Sequence, residues 1–202
     1  MSKSIYHYSS KFTSAEGYKI FRNFENNGRV EIHSEVDKSK NDYQDLLWIS
    51  CEFAKMGQVV RILPKIHFKD ELYKEIFNGL IGTKYDGKCP DLKVGDYFYE
   101  HEGFISSNPK TNLSNMLRRG LKQSSRVILD NCGVTERYIL NNIIARVKEG
   151  HIIDEVWMKI GKGIKLIYKK QKPNSKLPGP VVVESVESPQ QRYVIDNQKS
   201  NL

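Results

Sequence analysis

The chain has 202 residues, 39% of them hydrophobic and 28% charged, with a net charge of +8. That is the composition of a globular protein with one ordinary domain or two small ones, and no apolar run approaches the roughly 20 residues of a membrane span. The positive surplus fits either a polyanion partner or a basic surface kept for solubility, and it carries no information about the fold.

Residues 1–27 are polar and weakly patterned and read as an N-terminal arm or small subdomain. The opening Met1-Ser2-Lys3-Ser4-Ile5-Tyr6-His7-Tyr8 has no apolar signal core, so the expected location is cytoplasmic. Gly28 to Val36 alternates with period two and predicts a strand. Asp42 can N-cap a helix running to about Met56, with Leu46, Leu47, Ser50, Phe53 and Ala54 as its apolar stripe and Gly57 as its stop. Gln58 to Leu63 is a buried-type strand closed by Pro64. Asp70 to Phe77 predicts a shorter helix ended by Asn78-Gly79.

The segment from Cys89 to Glu102 predicts two short strands joined at Gly95-Asp96. Glycine at the first central position suits a type II′ turn, and that turn sets the register. Val94 then faces Tyr97, Lys93 faces Phe98 and Asp91 faces Glu100. Glu102 shares the face of Glu100. Like charges opposite one another on a sheet repel by about 0.2–1 kcal/mol. Three converging carboxylates in a basic chain therefore point to a shared proton, a bound cation or a substrate.

After a loop over Gly103 to Asn108, Pro109 opens a helix expected to reach about Gln123, with Leu113, Met116, Leu117 and Leu121 facing the core. Arg126 to Leu129 predicts a strand and Thr135 to Gly150 a helix. Ile153 to Ile160 and Ile164 to Tyr168 form a terminal hairpin around Gly161-Lys162-Gly163. From residue 170 onward prolines and polar residues break any pattern. Residues 170–202 read as a tail, with Val181-Val182-Val183 as an edge strand or partner-binding segment. The expected class is α+β (mixed α/β), with a central sheet flanked by helices over residues 28–169.

Asp91, Glu100 and Glu102 lead the candidates for chemistry. His101 points to the other side of the strand, with Tyr97 and Tyr99, and is a candidate proton shuttle. His33, flanked on its own face by Glu31 and Glu35, is a lesser one. Lys110, Arg118, Arg119, Lys122 and Arg126 could bind phosphate, as could Lys159 and Lys165 of the final hairpin, which lie among aromatics. An ordinary solvated face fits the same residues. Gln123 and Ser124 precede an apolar strand and could turn inward to position a substrate. Cys51, Cys89 and Cys132 are odd in number, far apart and without a CxxC pair. They read as reduced thiols rather than a zinc site or a disulfide framework.

Pro90-Asp91 opening a hairpin, with Glu100 on the return strand, resembles the nuclease core written PD-(D/E)XK. In that pattern the acids bind Mg²⁺, and a Lys two residues after the second acid contacts the reacting phosphate or water. Glu102 stands at the Lys place here. The order of motifs from Gly28 to Tyr168 also resembles the C-terminal tRNA-nuclease domain of CdiA contact-dependent inhibition toxins, grouped with the barnase/EndoU/colicin/RelE (BECR) ribonucleases. The resemblance rests on Ile49 to Gly57 leading into Val59 to Pro64, on Pro90-Asp91 with Glu100, on Gly120 to Ser124 entering Val127 to Leu129, and on the terminal hairpin.

This resemblance implies a ribonuclease of intracellular toxin, defence or mobile-element type, a tRNA-like substrate and a cognate inhibitor protein as partner. It implies a catalytic group drawn from Asp91, Glu100, His101, Glu102, Lys110, Gln123 and Ser124. Arg118, Arg119, Lys122, Arg126, Lys159 and Lys165 would hold the nucleic acid. No metal is expected in this reading. The alternatives are a Mg-dependent DNA nuclease using Asp91, Glu100 and Glu102, and a non-catalytic nucleic-acid-binding relative.

Overall fold

The computed structural model describes residues 16–104 and 107–171. Residues 1–15 and 172–202, including most of the expected tail and its Val181 to Val183 run, lie outside the described residues. The fold is mixed α+β. An eight-stranded sheet runs β1 (Tyr18–Asn23), β2 (Arg29–His33), β3 (Val59–Ile62), β4 (Leu92–Val94), β5 (Tyr97–Glu102), β6 (Arg126–Leu129), β7 (Glu155–Ile160) and β8 (Gly163–Lys169), each strand beside its neighbour in sequence. Four helices pack on it: α1 (Tyr43–Lys55), α2 (Glu71–Ile76), α3 (Pro109–Gly120) and α4 (Glu136–Lys148).

Pairing is parallel for β2–β3, β5–β6 and β6–β7 and antiparallel elsewhere. Strands β2, β3, β5, β6 and β7 therefore all point the same way, and their C-terminal ends share one edge of the sheet. In open α/β sheets that edge is where ligands bind.

Helix α1 covers one face. Its Leu46, Ile49, Phe53 and Ala54 pack on Val30, Ile32, Val60, Ile62, Leu92, Tyr99 and Ile128. Helices α3 and α4 cover the other face with Leu113, Met116, Leu117, Ile139 and Ile143 over Val127, Leu129, Val156 and Met158. A third cluster on that second face, from α2 and its flanks, sets Tyr73, Ile76, Phe77 and Leu80 against Leu63 and Phe98. The site edge lies between this cluster and α3.

Local rules account for most boundaries. Asp70, Asn108 and Thr135 each accept a hydrogen bond from the first turn of their helix, as N-caps do. Asp42 flanks α1 without such a bond. Gly95 has φ +55° and Asp96 stays out of the left-handed region, the pattern of a type II′ turn. The register is the expected one: Val94↔Tyr97, Lys93↔Phe98 and Leu92↔Tyr99.

Three expectations need correction. Residues 18–23 are a strand of the sheet rather than part of an arm, because Tyr18 and Ile20 cover the β2 row of His33 and Glu31. Helix α3 stops at Gly120 instead of Gln123. A Cβ on Gly120 would lie 2.7 Å from Val127 Cγ1, and the chain turns there to enter β6. Ile49, fully buried in α1, belongs to the stripe assigned to its neighbours. All three cysteines are free.

Gly28 sits where β2 begins beneath the end of α1. A Cβ there would fall 1.8 Å from the Ala54 carbonyl oxygen. That neighbour is backbone and cannot rotate away. We expect Gly28→Ala to lower unfolding free energy by about 1–3 kcal/mol or more. Gly163→Ala, whose Cβ meets only Glu52 Oε2 at 3.8 Å, should change it far less. Urea unfolding of both variants checks this.

Candidate functional site: an acid–lysine centre at the strand ends

The β4–β5 register carries Asp91 opposite Glu100 one step beyond Leu92↔Tyr99. Both are buried, at 5% and 8% exposure. Asp91 Oδ2 accepts the backbone N–H of His101 at 2.9 Å. Asp91 Oδ1 lies 2.8 Å from Lys65 Nζ. The same ammonium stands 3.8 Å from Glu100 Oε2 and donates to the Cys89 carbonyl. Lys65 was not foreseen. It follows Pro64 just past the end of β3, and only the β3–β4 pairing brings it to Asp91. Its side chain is 42% exposed, whereas both acids are nearly dry.

Glu100 is the strained member. Burial and then the charge of Asp91 push its carboxyl up to about 9, against the pull of Lys65. Its Oε2 is buried and has no hydrogen-bond partner. Burial works against the charge on Lys65, but Asp91 and Glu100 outweigh it and the ammonium is held above its ordinary value. Glu102 lies on the same face and is tied down separately. Its Oε2 accepts from Arg119 Nε at 2.7 Å and lies 2.6 Å from Nη2, which also donates to the Gly103 carbonyl. Burial raises the Glu102 carboxyl and Arg119 only partly offsets this.

His101 points to the opposite face, as expected. Its Nε2 is 3.1 Å from Asp130 Oδ1. Asp130 also meets Lys159 Nζ at 2.9 Å, and Lys159 reaches Asp45 of α1 at 2.8 Å. Burial would raise the Asp130 carboxyl, but the bonds from His101 and Lys159 prevail and hold it low. The side chain of His101 is thus spent on a chain of polar contacts between α1 and the sheet. Its amide serves the acid centre.

The remaining candidates do not gather here. Lys110 lies over the Tyr138 ring of α4, nine residues and about 13 Å of helix from Arg119. Ser124 donates to the Phe98 carbonyl and accepts the Arg126 N–H. It splices the start of β6 to the start of β5, at the far end of the strands from Glu102. Gln123 lies in the same turn, its amide bonded to Gly120. Arg126 stacks 4.1 Å over Tyr97 and pairs with Asp154. Lys165 pairs with Glu136. Arg118 and Lys122 are exposed. His33 Nδ1 accepts the Glu35 N–H, and its ring meets Tyr18 edge-on. The grouping of Lys110, Gln123 and Ser124 with the acids is therefore corrected: helix direction and strand ends separate residues that sequence order kept close.

Among the described residues no group of three or more Asp, Glu, His and Cys side chains is arranged to hold a metal ion, so the proposed trio of Asp91, Glu100 and Glu102 reduces to a pair. Asp91 and Glu100 fit a hard cation on two counts. They offer oxygen donors only, and one Glu100 oxygen is buried without a hydrogen-bond partner. Mg²⁺ commonly takes one or two carboxylates and completes its shell with water and substrate phosphate. No helix among the described residues is long and apolar enough to cross a membrane.

The raised Glu100 carboxyl has a consequence for stability. The folded state keeps a proton that the unfolded chain releases above about pH 4.5. Stability is therefore lost as pH rises from there towards about 9. Glu100→Gln removes this penalty. We expect the variant to gain stability over the parent progressively between about pH 5 and 9, reaching a few kcal/mol at most. Paired urea titrations across that range measure it, and a pH-independent difference would contradict the assignment.

No family model, no curated protein and no solved structure matches the chain.

Proposed function

We propose that the chain is a nuclease, a phosphodiester hydrolase acting on nucleic acid, with Asp91, Glu100 and Lys65 as its reacting centre. One observation carries the reading: a half-exposed lysine lies 2.8 Å from one of two adjacent buried carboxylates, at the C-terminal edge of the parallel strands. The acids occupy the two hairpin positions of the PD-(D/E)XK pattern. Lys65, arriving from the neighbouring strand, puts an ammonium beside them where that pattern draws its lysine from the position of Glu102.

Phosphodiester cleavage needs a base for the attacking oxygen, charge compensation at the phosphorane and a proton for the leaving oxygen. Lys65 is placed to compensate charge on a non-bridging oxygen. Asp91 is held in one orientation by the His101 amide and Lys65 and offers a fixed carboxylate to the attacking group. Arg119, fixed by Glu102 and Gly103, is placed to meet an adjacent phosphate. A divalent cation held by Asp91 and Glu100 would supply Lewis-acid polarisation and a lowered pKa for bound water. The crowding of two acids and the Glu100 oxygen that has no hydrogen bond favour this form.

The Glu100 carboxyl, pushed up to about 9, favours a second form. It is protonated at neutral pH and can donate to the leaving oxygen. With Asp91 as base towards a ribose 2′-OH, that is metal-free RNA cleavage. The resemblance to the tRNA-nuclease toxins makes RNA, and tRNA in particular, the first substrate to test.

Purified protein incubated with total RNA and with plasmid DNA, each with Mg²⁺ or EDTA, should yield products from at least one. Loss in EDTA and return with Mg²⁺ supports the first form, and RNA cleavage indifferent to EDTA the second. Asp91→Asn, Glu100→Ala and Lys65→Met should each lower cleavage at least about 100-fold while the protein stays folded. Folded variants with full activity would refute the centre.

A further inference from the structure

A second set of charges lies on the same sheet face as Asp91 and Glu100, one row further from the strand ends. Glu31, Arg61, Lys93 and Phe98 pair in register across β2, β3, β4 and β5. The acids lie two residues along, about 7 Å away. Glu31 is completely buried. It holds Arg29 Nε at 2.6 Å on one oxygen and Arg61 Nε at 2.7 Å on the other. Arg61 also lies over the Tyr18 ring, 5.2 Å from its centroid. The two arginine side chains are 19% and 26% exposed. One buried carboxylate thus orients two arginines that reach the surface.

Lys93 sharpens the point. It is half-buried and directly opposite Arg61, a like-charge pair that costs stability in a sheet. Among the described residues no carboxylate pairs with it, and its ammonium lies over the Phe98 ring, 5.3 Å from the centroid. Glu31 is shared between Arg29 and Arg61, and Lys93 brings a further positive charge beside Arg61 with no carboxylate of its own among the described residues. A buried carboxylate pairing with both arginines gives their charge-bearing edges a fixed geometry, which suits phosphate oxygens. Arg61 engages Glu31 through Nε, and its Nη1 and Nη2 make no hydrogen bond to another described residue.

We infer that Arg29, Arg61 and Lys93 form a phosphate-binding row for the backbone of a nucleic-acid strand whose neighbouring phosphodiester lies at Asp91, Glu100 and Lys65. This deepens the nuclease reading and rests on it for the position of the reacting phosphate. The contacts are to backbone only, so the row sets the path of the strand and carries no base preference.

The test measures binding apart from cleavage. Fluorescent single-stranded RNA, single-stranded DNA and duplex DNA are titrated by anisotropy into Glu100→Gln protein over a range of salt. Adding Arg61→Gln and Lys93→Gln should weaken binding about tenfold or more and lower the log–log salt slope by about 2. Lys93→Gln alone, at a site without an ion pair, should give about half the slope change and guards against a folding artefact. Lys148→Gln at the end of α4 should change neither. Unchanged affinity and slope in the folded double variant would overturn the row. Cleavage by the parent protein, scored separately, distinguishes the failures. Binding that needs Arg61 and Lys93 in a protein that cuts nothing keeps the row and removes the nuclease. Cleavage with KM indifferent to both residues removes the row alone.

Discussion

Burying Glu100 against Asp91 is the constraint around which this edge of the sheet is organised. Two carboxylates at adjacent cross-strand positions, both nearly dry, cannot both ionise cheaply. The surroundings answer in three ways. The His101 amide and the Lys65 ammonium each take an oxygen of Asp91. Glu100 takes up a proton instead. Glu102, next along the strand, receives an arginine of its own. At this edge of the sheet one Glu100 oxygen is left without a hydrogen bond, and a buried polar atom in that state calls for an explanation.

His101 couples the two faces of β5. Its backbone belongs to the acid centre and its side chain to the chain of polar contacts through Asp130, Lys159 and Asp45. That chain fastens the first turns of α1 to the ends of β6 and β7. Displacing α1 would therefore be felt at Asp91 through one residue, without any side chain crossing the sheet.

The net charge of +8 does not map onto one binding face. Among the described residues several cations are consumed internally: Lys159 by two aspartates, Lys165 by Glu136, Arg126 by Asp154 and Tyr97. Pairs such as Lys165–Glu136, about a third exposed on both sides, contribute about 0–1 kcal/mol each. The cations the proposals use are Lys65 and Arg119 beside the acids, and Arg61 and Lys93 one row away, with Arg29 held on the same carboxylate as Arg61. A count of Lys and Arg could not have separated the two sets.

Sequence alone determined the period-two strands, the apolar helix stripes, the starts of the helices at Asp70 and Thr135, and above all the hairpin around Gly95-Asp96. A two-residue turn leaves one register, and that register already set Asp91 against Glu100 and His101 on the reverse face. These features are local, decided by backbone geometry within a dozen residues. Only the tertiary structure decided that Lys65 joins the acids, that Lys110 and Ser124 do not, that Glu31 gathers two arginines, and that residues 18–23 form a strand. Each of these depends on which strands lie side by side and which way a helix crosses them, and pairing between distant segments leaves no periodic trace in the chain.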